Sequence, residues 1–238
     1  MNFDLTPDQQ QLQARVRDFA QAEVAPIAEK LDRDGVFPAA LYRQLGDLGV
    51  MSIPFDEKYG GMKLGVFEAV LALEEVARAD QSLAVSAMVS MATGLTLARF
   101  GRQPLIDKWL PEIVTGQKMC AIAGTEPNAG SDTAGFKTRA RMIGNDRWSI
   151  SGEKAYITNA GTELTTFTLL LTVSSPPDAP KKQFTLFLVP NDAKGYVRGE
   201  KYRNRRNRAG AYRMSAIRAC GTSRRVGSPW RRSGPGTA

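Results

Sequence analysis

The chain has 238 residues, 42% hydrophobic and 24% charged, with a formal net charge of +8, and that make-up suits a soluble globular protein with one large or two small cores. It contains no histidine, which excludes Ser–His–Asp and Cys–His nucleophile systems and histidine metal sites. Its two cysteines, Cys120 and Cys220, exclude a disulfide framework and fit a reducing cytoplasm, and no basic, apolar, small-residue signal segment opens the chain.

Thr6-Pro7-Asp8-Gln9 spells a helix start: a Thr N-cap, proline at the first helical position, an acid in the first turn and Gln at the capping-box position. Leu12, Val16, Phe19 and Val24 then follow at helical spacing. A second helix starts at Pro38, with Leu41, Leu45 and Leu48 on one face and Gly49 as its stop. Residues 54–64, with Gly60-Gly61, read as a loop. A third helix covers Val66–Ala79, and its period aligns Val66, Val70, Leu73 and Ala77 as the core stripe. The apolar stretch 82–100 contains Ser86, Ser90, Thr93, Thr96 and Arg99, which mark a buried helix rather than a membrane span. A shorter helix over 105–114 is expected to bury Ile106, Trp109, Leu110 and Ile113.

After Gly116 the period changes to that of strands, expected at 119–124, 137–142, 147–150, 154–158, 166–173 and 183–189. Gly144-Asn145-Asp146 joins two of them as a hairpin, and Ser151-Gly152 makes a second tight turn. Strands at this spacing predict a small antiparallel β-barrel or sandwich. No strand–helix alternation, G-x-G-x-x-G or Walker segment is present, so a nucleotide site of the Rossmann type is not expected. The predicted fold class is α+β, with a helical domain over residues 1–117, a β domain over 118–199 and a tail over 200–238.

The excess positive charge belongs to that tail. Eleven of the 32 basic residues lie from Lys201 onward, where there is no Asp or Glu, leaving 21 basic against 24 acidic groups in residues 1–200. The tail is rich in Arg, Gly, Ser, Pro and Ala and has no helical or strand period, so no stable structure is expected in it. It reads either as a basic arm suited to phosphate neutralisation or as a GC-rich gene translated out of frame.

The most informative segments are MCAIAGTEPNAGSD, from Met119, and ISGEKAYITNA, from Ile150. The first runs an apolar stretch into a turn that can present consecutive backbone N–H groups with the hydroxyls of Thr125 and Ser131. The second places Thr158 after Tyr156 at a strand end. Together they suit a flat, polar-edged ring with a phosphate tail. TEPNAGSD followed by GEKAYITN resembles the two flavin-binding segments of the acyl-CoA dehydrogenases, and the resemblance covers about residues 1–200.

The resemblance implies a helical N-terminal domain, a middle β domain and a C-terminal helical bundle, with FAD between the last two. Where that bundle would follow, this sequence carries the basic text, so it is expected to be a shortened member lacking the bundle. The first flavin segment contributes Ile122, Ala123, Gly124, Thr125, Gly130 and Ser131; the second contributes Tyr156, Ile157 and Thr158. Gly124 and the Thr125 hydroxyl would address the pyrimidine edge of the flavin, Thr158 would bond near N5, and Gly130-Ser131 would meet the pyrophosphate. Ser131 would also lie near the acyl-CoA. Tyr156 stands where the family usually has Trp against the ring, covering less area.

The implied chemistry is α,β-desaturation of an acyl-CoA thioester, with a carboxylate removing the α-proton as hydride leaves for the flavin. The family's base is a glutamate of the C-terminal bundle, so no catalytic residue is assigned. Glu126 is read as part of the turn, and Glu74, Glu75 and Glu153 as ordinary surface or helix charges. Acyl-CoA as substrate, electron-transfer flavoprotein as acceptor and a homotetramer or homodimer follow from the resemblance; a membrane and nucleic acid are not expected partners. Two alternatives remain: a flavin oxidase or monooxygenase of the same fold, and a non-catalytic binding protein whose basic tail meets nucleic acid.

Overall fold

The computed structural model of the chain describes residues 4–144, 147–202, 211–215, 219–221 and 224–225. Helix α1 (Pro7–Phe19) starts as its local sequence dictates: the Gln9 N–H donates to Thr6 Oγ1 at 3.3 Å, and the Thr6 N–H donates to Gln9 Oε1 at 3.0 Å. A π-helical turn, Ala20–Val24, carries it without a break into α2 (Ala25–Asp34). The extra residue in that turn keeps Val24 on the buried face with Leu12 and Val16. Gly35, at φ 64°, ends the run. Helix α3 (Ala39–Asp47) follows Pro38 and buries Leu41, Tyr42 and Leu45, and Gly49 stops it at φ 87°. The loop expected over 54–64 contains one 3-10 turn, Glu57–Tyr59.

Helix α4 (Val66–Ala79) has the expected span and a different buried face. Val66 and Val70 are exposed, at 66% and 53%, while Ala69, Leu71, Ala72, Glu75 and Val76 face inward. Apolar residues occur nearly all round this helix, so period alone does not select a face. The small side chains Ala69 and Ala72 let α1 and the following helix approach closely. Glu75 is accepted there because Arg17 of α1 grips it from two nitrogens, at 2.9 and 3.0 Å. Glu75 is therefore a core residue rather than a surface charge.

Asp80 caps α5 (Gln81–Phe100), its carboxylate accepting the N–H groups of Ser82 and Leu83 at 2.7 and 3.1 Å. This helix is long and apolar enough to cross a membrane, yet it packs as a core helix between α4, α6 (Gln103–Val114) and the first strand. In α6 the residues Ile106, Leu110 and Ile113 are buried as expected. Trp109 is only partly buried and meets Phe167 edge-on, with ring centroids 5.6 Å apart. That contact joins helices to sheet: the largest core runs from the helices into Met119, Cys120, Phe167 and Leu169.

The strands are β1 (Met119–Ala123), β2 (Arg139–Gly144), β3 (Arg147–Ser151), β4 (Lys154–Thr158), β5 (Thr165–Val173), β6 (Phe184–Pro190), β7 (Val197–Lys201), β8 (Ala211–Ser215), β9 (Ala219–Gly221) and β10 (Arg224–Arg225). The larger sheet runs β10-β6-β5-β2-β3-β9, with β1 also paired to β5, and the smaller runs β4-β8-β7. The helical unit followed by a β unit is as expected, but the pairing is mixed rather than antiparallel. Strand β1 lies parallel to β5, with Cys120 beside Phe167 and Ile122 beside Leu169, and Arg139 of β2 meets Val173 in parallel. The chain between β1 and β5 is long enough to return in the same direction. Ser151-Gly152 is a corner between sheets; a Cβ on Gly152 (φ 152°) would lie 2.4 Å from Thr138 Oγ1.

Strand β7 crosses residue 200, β8 lies between β4 and β7, β9 pairs with β3, and β10 pairs with β6. Backbone donors and acceptors on open strand edges take a partner whatever the side-chain period. Residues 203–210, 216–218, 222–223 and 226–238 lie outside the described residues, and the expectation for the tail falls there otherwise.

Candidate functional site

The two singled-out segments meet in space. Strand β1 buries Ala121 and Ala123 and leaves Ile122 42% exposed. Beyond it, the N–H groups and carbonyls of Glu126 and Ala129 bond each other at 2.8 and 3.2 Å, closing a tight turn at Pro127-Asn128. Gly130 and Ser131 follow on the surface, and Asp132 caps a 3-10 turn, Thr133–Gly135, by accepting the Ala134 N–H at 3.1 Å. The chain then turns back, and the Glu126 carboxylate accepts the N–H groups of Lys137 and Thr138 at 2.7 and 2.9 Å. Glu126 thus closes the loop from inside.

Strand β4 is fastened to this loop twice. The Ala155 N–H donates to the Thr125 carbonyl at 2.9 Å. Lys154, fully buried, donates to the Gly124 carbonyl at 2.7 Å and to Glu126 Oε1 at 3.0 Å, with its ammonium 4.4 Å from the Phe136 ring centre. Tyr156 has φ 59°, and the pairing of β4 shifts register between Lys154 and Ile157. This irregularity lets Lys154 turn inward while Tyr156 turns out. Asn159, at φ 70°, ends the strand; its side-chain amide donates to the carbonyls of Ser86 at 2.8 Å and Cys120 at 3.3 Å, anchoring the segment to α5 and β1.

Of the sequence-predicted residues, Gly124, Thr125 and Gly130 come together: a Cβ on Gly130 would lie 3.7 Å from Thr125 Cγ2. A Cβ on Gly124 would meet nothing within 4 Å, so the backbone there borders open space. The hydroxyls of Thr125 and Thr158, both on half-buried residues, and of exposed Ser131 bond no other described residue. Ala123 and Ile157 are buried in the β core, so only their backbone can face a ligand. The Tyr156 ring is stacked on Tyr202, centroids 4.4 Å apart and planes 25° apart, so one of its faces is already used. Open backbone at Gly124, three unengaged hydroxyls and an exposed aromatic suit a planar ligand with polar edges.

Glu126 is not placed to act as a base. Burial alone would push its carboxyl up, but the N–H groups of Lys137 and Thr138 and the Lys154 ammonium outweigh this and hold it below the usual carboxylate range. Burial draws Lys154 below the usual lysine range, with Glu126 opposing. Cys120 is equally unsuited to nucleophilic chemistry: burial pushes its thiol up to about 12. No cluster of metal-ligating side chains occurs among the described residues. Sequence reasoning missed Lys154 and Asn159. A lysine one step from a turn reads as solvated, and nothing local announces the carboxylate it meets 28 positions away.

The chain belongs to the acyl-CoA dehydrogenase family. The family model for the acyl-CoA dehydrogenase N-terminal domain matches residues 6–117, and that for the middle domain matches residues 121–215. It is 37% identical over 196 residues to a probable acyl-CoA dehydrogenase of Bacillus subtilis, covering 82% of this chain and 51% of that protein. Butyryl-CoA dehydrogenase from Megasphaera elsdenii superposes with a TM-score of 0.85 at 27% identity, over 95% of this chain and 60% of that one. A glutaryl-CoA dehydrogenase from Mycobacterium smegmatis, solved with FADH2, gives 0.84 at 25% identity, over 96% and 57%. The chain spans about half the length of the curated relatives it matches.

Proposed function

We propose that residues 122–131 and 156–158 form the protein side of an FAD site, in an oxidoreductase acting on acyl-CoA thioesters. The observation that carries this reading is the joined end of β1 and β4, where Gly124 borders open space and the hydroxyls of Thr125 and Thr158 have no partner among the described residues. The cofactor in the glutaryl-CoA dehydrogenase neighbour supports it. When bound, FAD would take up the electron pair removed in α,β-desaturation.

The chain's own residues then bind and orient. Thr125 and Thr158 offer hydroxyls to the polar edge and centre of the ring, Ile122 and Tyr156 give it apolar contact, and Gly130-Ser131 offers N–H groups and a hydroxyl to a phosphate. Lys154 and Glu126 hold the two segments in register and take no part in proton transfer. Proton abstraction is assigned to no residue described here. An acyl-CoA substrate, electron-transfer flavoprotein as acceptor, a homo-oligomer and a reducing cytoplasmic setting belong to the same proposal.

The test is a titration of the full chain with FAD, followed by quenching of flavin fluorescence. Saturable quenching that weakens in Thr125→Val and Thr158→Val is expected. Quenching that never saturates, or that is the same in both variants, would remove flavin from this site.

A further inference from the structure

The backbone around Thr158 is bent in a way that few side chains accept. Among the described residues three other than glycine have a left-handed backbone, Lys63, Tyr156 and Asn159, and the last two flank Ile157-Thr158. Asparagine tolerates that conformation and a bulky aromatic does not, so the end of β4 keeps its shape only where its surroundings hold it. Ala211 of β8 lies opposite Thr158 in the pairing, which fixes the strand edge but not the left-handed turn that follows. Thr158 itself is half-buried, and its hydroxyl bonds no other described residue. Its direction is therefore set by its neighbours.

Asn159 is the neighbour equipped to do this. It is fully buried, and its side-chain NH2 donates to the Ser86 carbonyl of α5 at 2.8 Å and to the Cys120 carbonyl of β1 at 3.3 Å. Only the donor side of an amide can face two carbonyls, so this one has a single orientation. The Asn159 carbonyl accepts the Thr165 hydroxyl at 2.6 Å and the Thr162 N–H at 3.2 Å, and the two threonine hydroxyls bond each other at 2.7 Å. Three elements, α5, β1 and the start of β5, thus converge on the residue that adjoins Thr158. Glycine would accept the same backbone but could reach neither carbonyl.

We propose, resting on the flavin reading of this site, that Asn159 is a positioning residue: it fixes the left-handed turn after β4 against α5 and β1, and so sets the direction in which the Thr158 hydroxyl meets the ring. Loss of the amide then acts through Thr158 and not through Thr125, which lies on the other segment. The test is a double-mutant cycle on the full chain. Asn159→Gly, which keeps the left-handed backbone and removes the amide, is combined with Thr158→Val and, as a control, with Thr125→Val. FAD affinity is read from fluorescence quenching, the ring environment from the visible spectrum and reduction potential of the bound flavin, and stability from urea unfolding.

Asn159→Gly is expected to weaken FAD by about two- to tenfold, the worth of one neutral hydrogen bond, and to move spectrum and potential in the same direction as Thr158→Val. In the Thr158→Val chain it should change affinity, spectrum and potential no further, while in the Thr125→Val chain its full effect should remain. A merely structural role would lower the urea midpoint and weaken FAD equally in all three backgrounds, and that result would overturn the proposal. So would an unchanged spectrum and potential in Asn159→Gly. If Asn159→Gly does not fold, Thr165→Val, which removes the hydroxyl bonded to the Asn159 carbonyl, goes through the same cycle; a smaller coupling to Thr158 is expected, and additivity counts against the proposal. Failure of the unaltered chain to bind FAD saturably would remove the flavin reading and this proposal together, whereas saturable binding without coupling to Thr158 removes this proposal alone.

Discussion

Lys154 Nζ lies 3.0 Å from Glu126 Oε1 inside the β unit, with the two side chains 0% and 7% exposed. The pair joins the two segments of the candidate site, since Lys154 also holds the Gly124 carbonyl. Replacing one partner strands a buried charge, so Lys154→Met should cost about 3 kcal/mol in urea unfolding. The double variant Lys154→Met/Glu126→Gln should lose less than the sum of the single changes. Strict additivity would show that the two groups are not coupled.

Acid should act through the same carboxylate. Its folded pKa lies below its ordinary value of 4.5, so its contribution to stability is complete above that value and is lost as pH falls through the folded value. Urea midpoints measured from neutral pH downward should therefore fall more steeply in the unaltered chain than in Glu126→Gln. Parallel profiles would refute this role for Glu126.

Arg17 and Glu75 tie α1 to α4, with the carboxylate 1% exposed. Arg17→Met should lower the thermal midpoint more than Arg33→Met, whose partner Glu29 is exposed and whose pair is worth only about 0.3–0.5 kcal/mol. Arg17 holds the Glu75 carboxyl low, so Arg17→Met should also make stability less sensitive to acid. Equal midpoints for the two arginine variants would count against the buried pair.

Gly46 marks the closest approach of α3 to the end of α6. A Cβ there would lie 2.2 Å from the Thr115 carbonyl oxygen and 2.9 Å from Gly116 Cα, and backbone does not swing aside as a side chain does. Gly46→Ala should destabilise the chain by about 1–3 kcal/mol despite alanine's better helix propensity. A gain in thermal midpoint would mean that the two helices separate freely.

Thr158→Val should weaken FAD by the value of one neutral hydrogen bond, about 0.5–1.5 kcal/mol, or roughly two- to tenfold in Kd. Urea stability should be unchanged, because the hydroxyl bonds no described residue. A large stability loss would reassign Thr158 to the fold.

Local chemistry was legible wherever the deciding contacts are few residues apart. Thr6 and Gln9 announced α1, Gly49 announced the end of α3, and the change of period after Gly116 announced the sheets. The two site segments were visible for the same reason: each is a strand end with its own turn, and their hydroxyls and glycines are turn chemistry.

Contacts between distant segments were decided by the tertiary structure. Which face of α4 is buried depends on Arg17 reaching Glu75 across 58 positions, and no period within one helix encodes that. The parallel pairing of β1 with β5 depends on how the intervening hairpin and β4 pack. The inward turn of Lys154 depends on Glu126 and the Gly124 carbonyl being there to receive it. A sequence of this length fixes its helices, strands and turns through short-range sterics and hydrogen bonds. The partners of its buried charges are settled only when the elements pack, because burying a charge is tolerable only where another element supplies its counterpart.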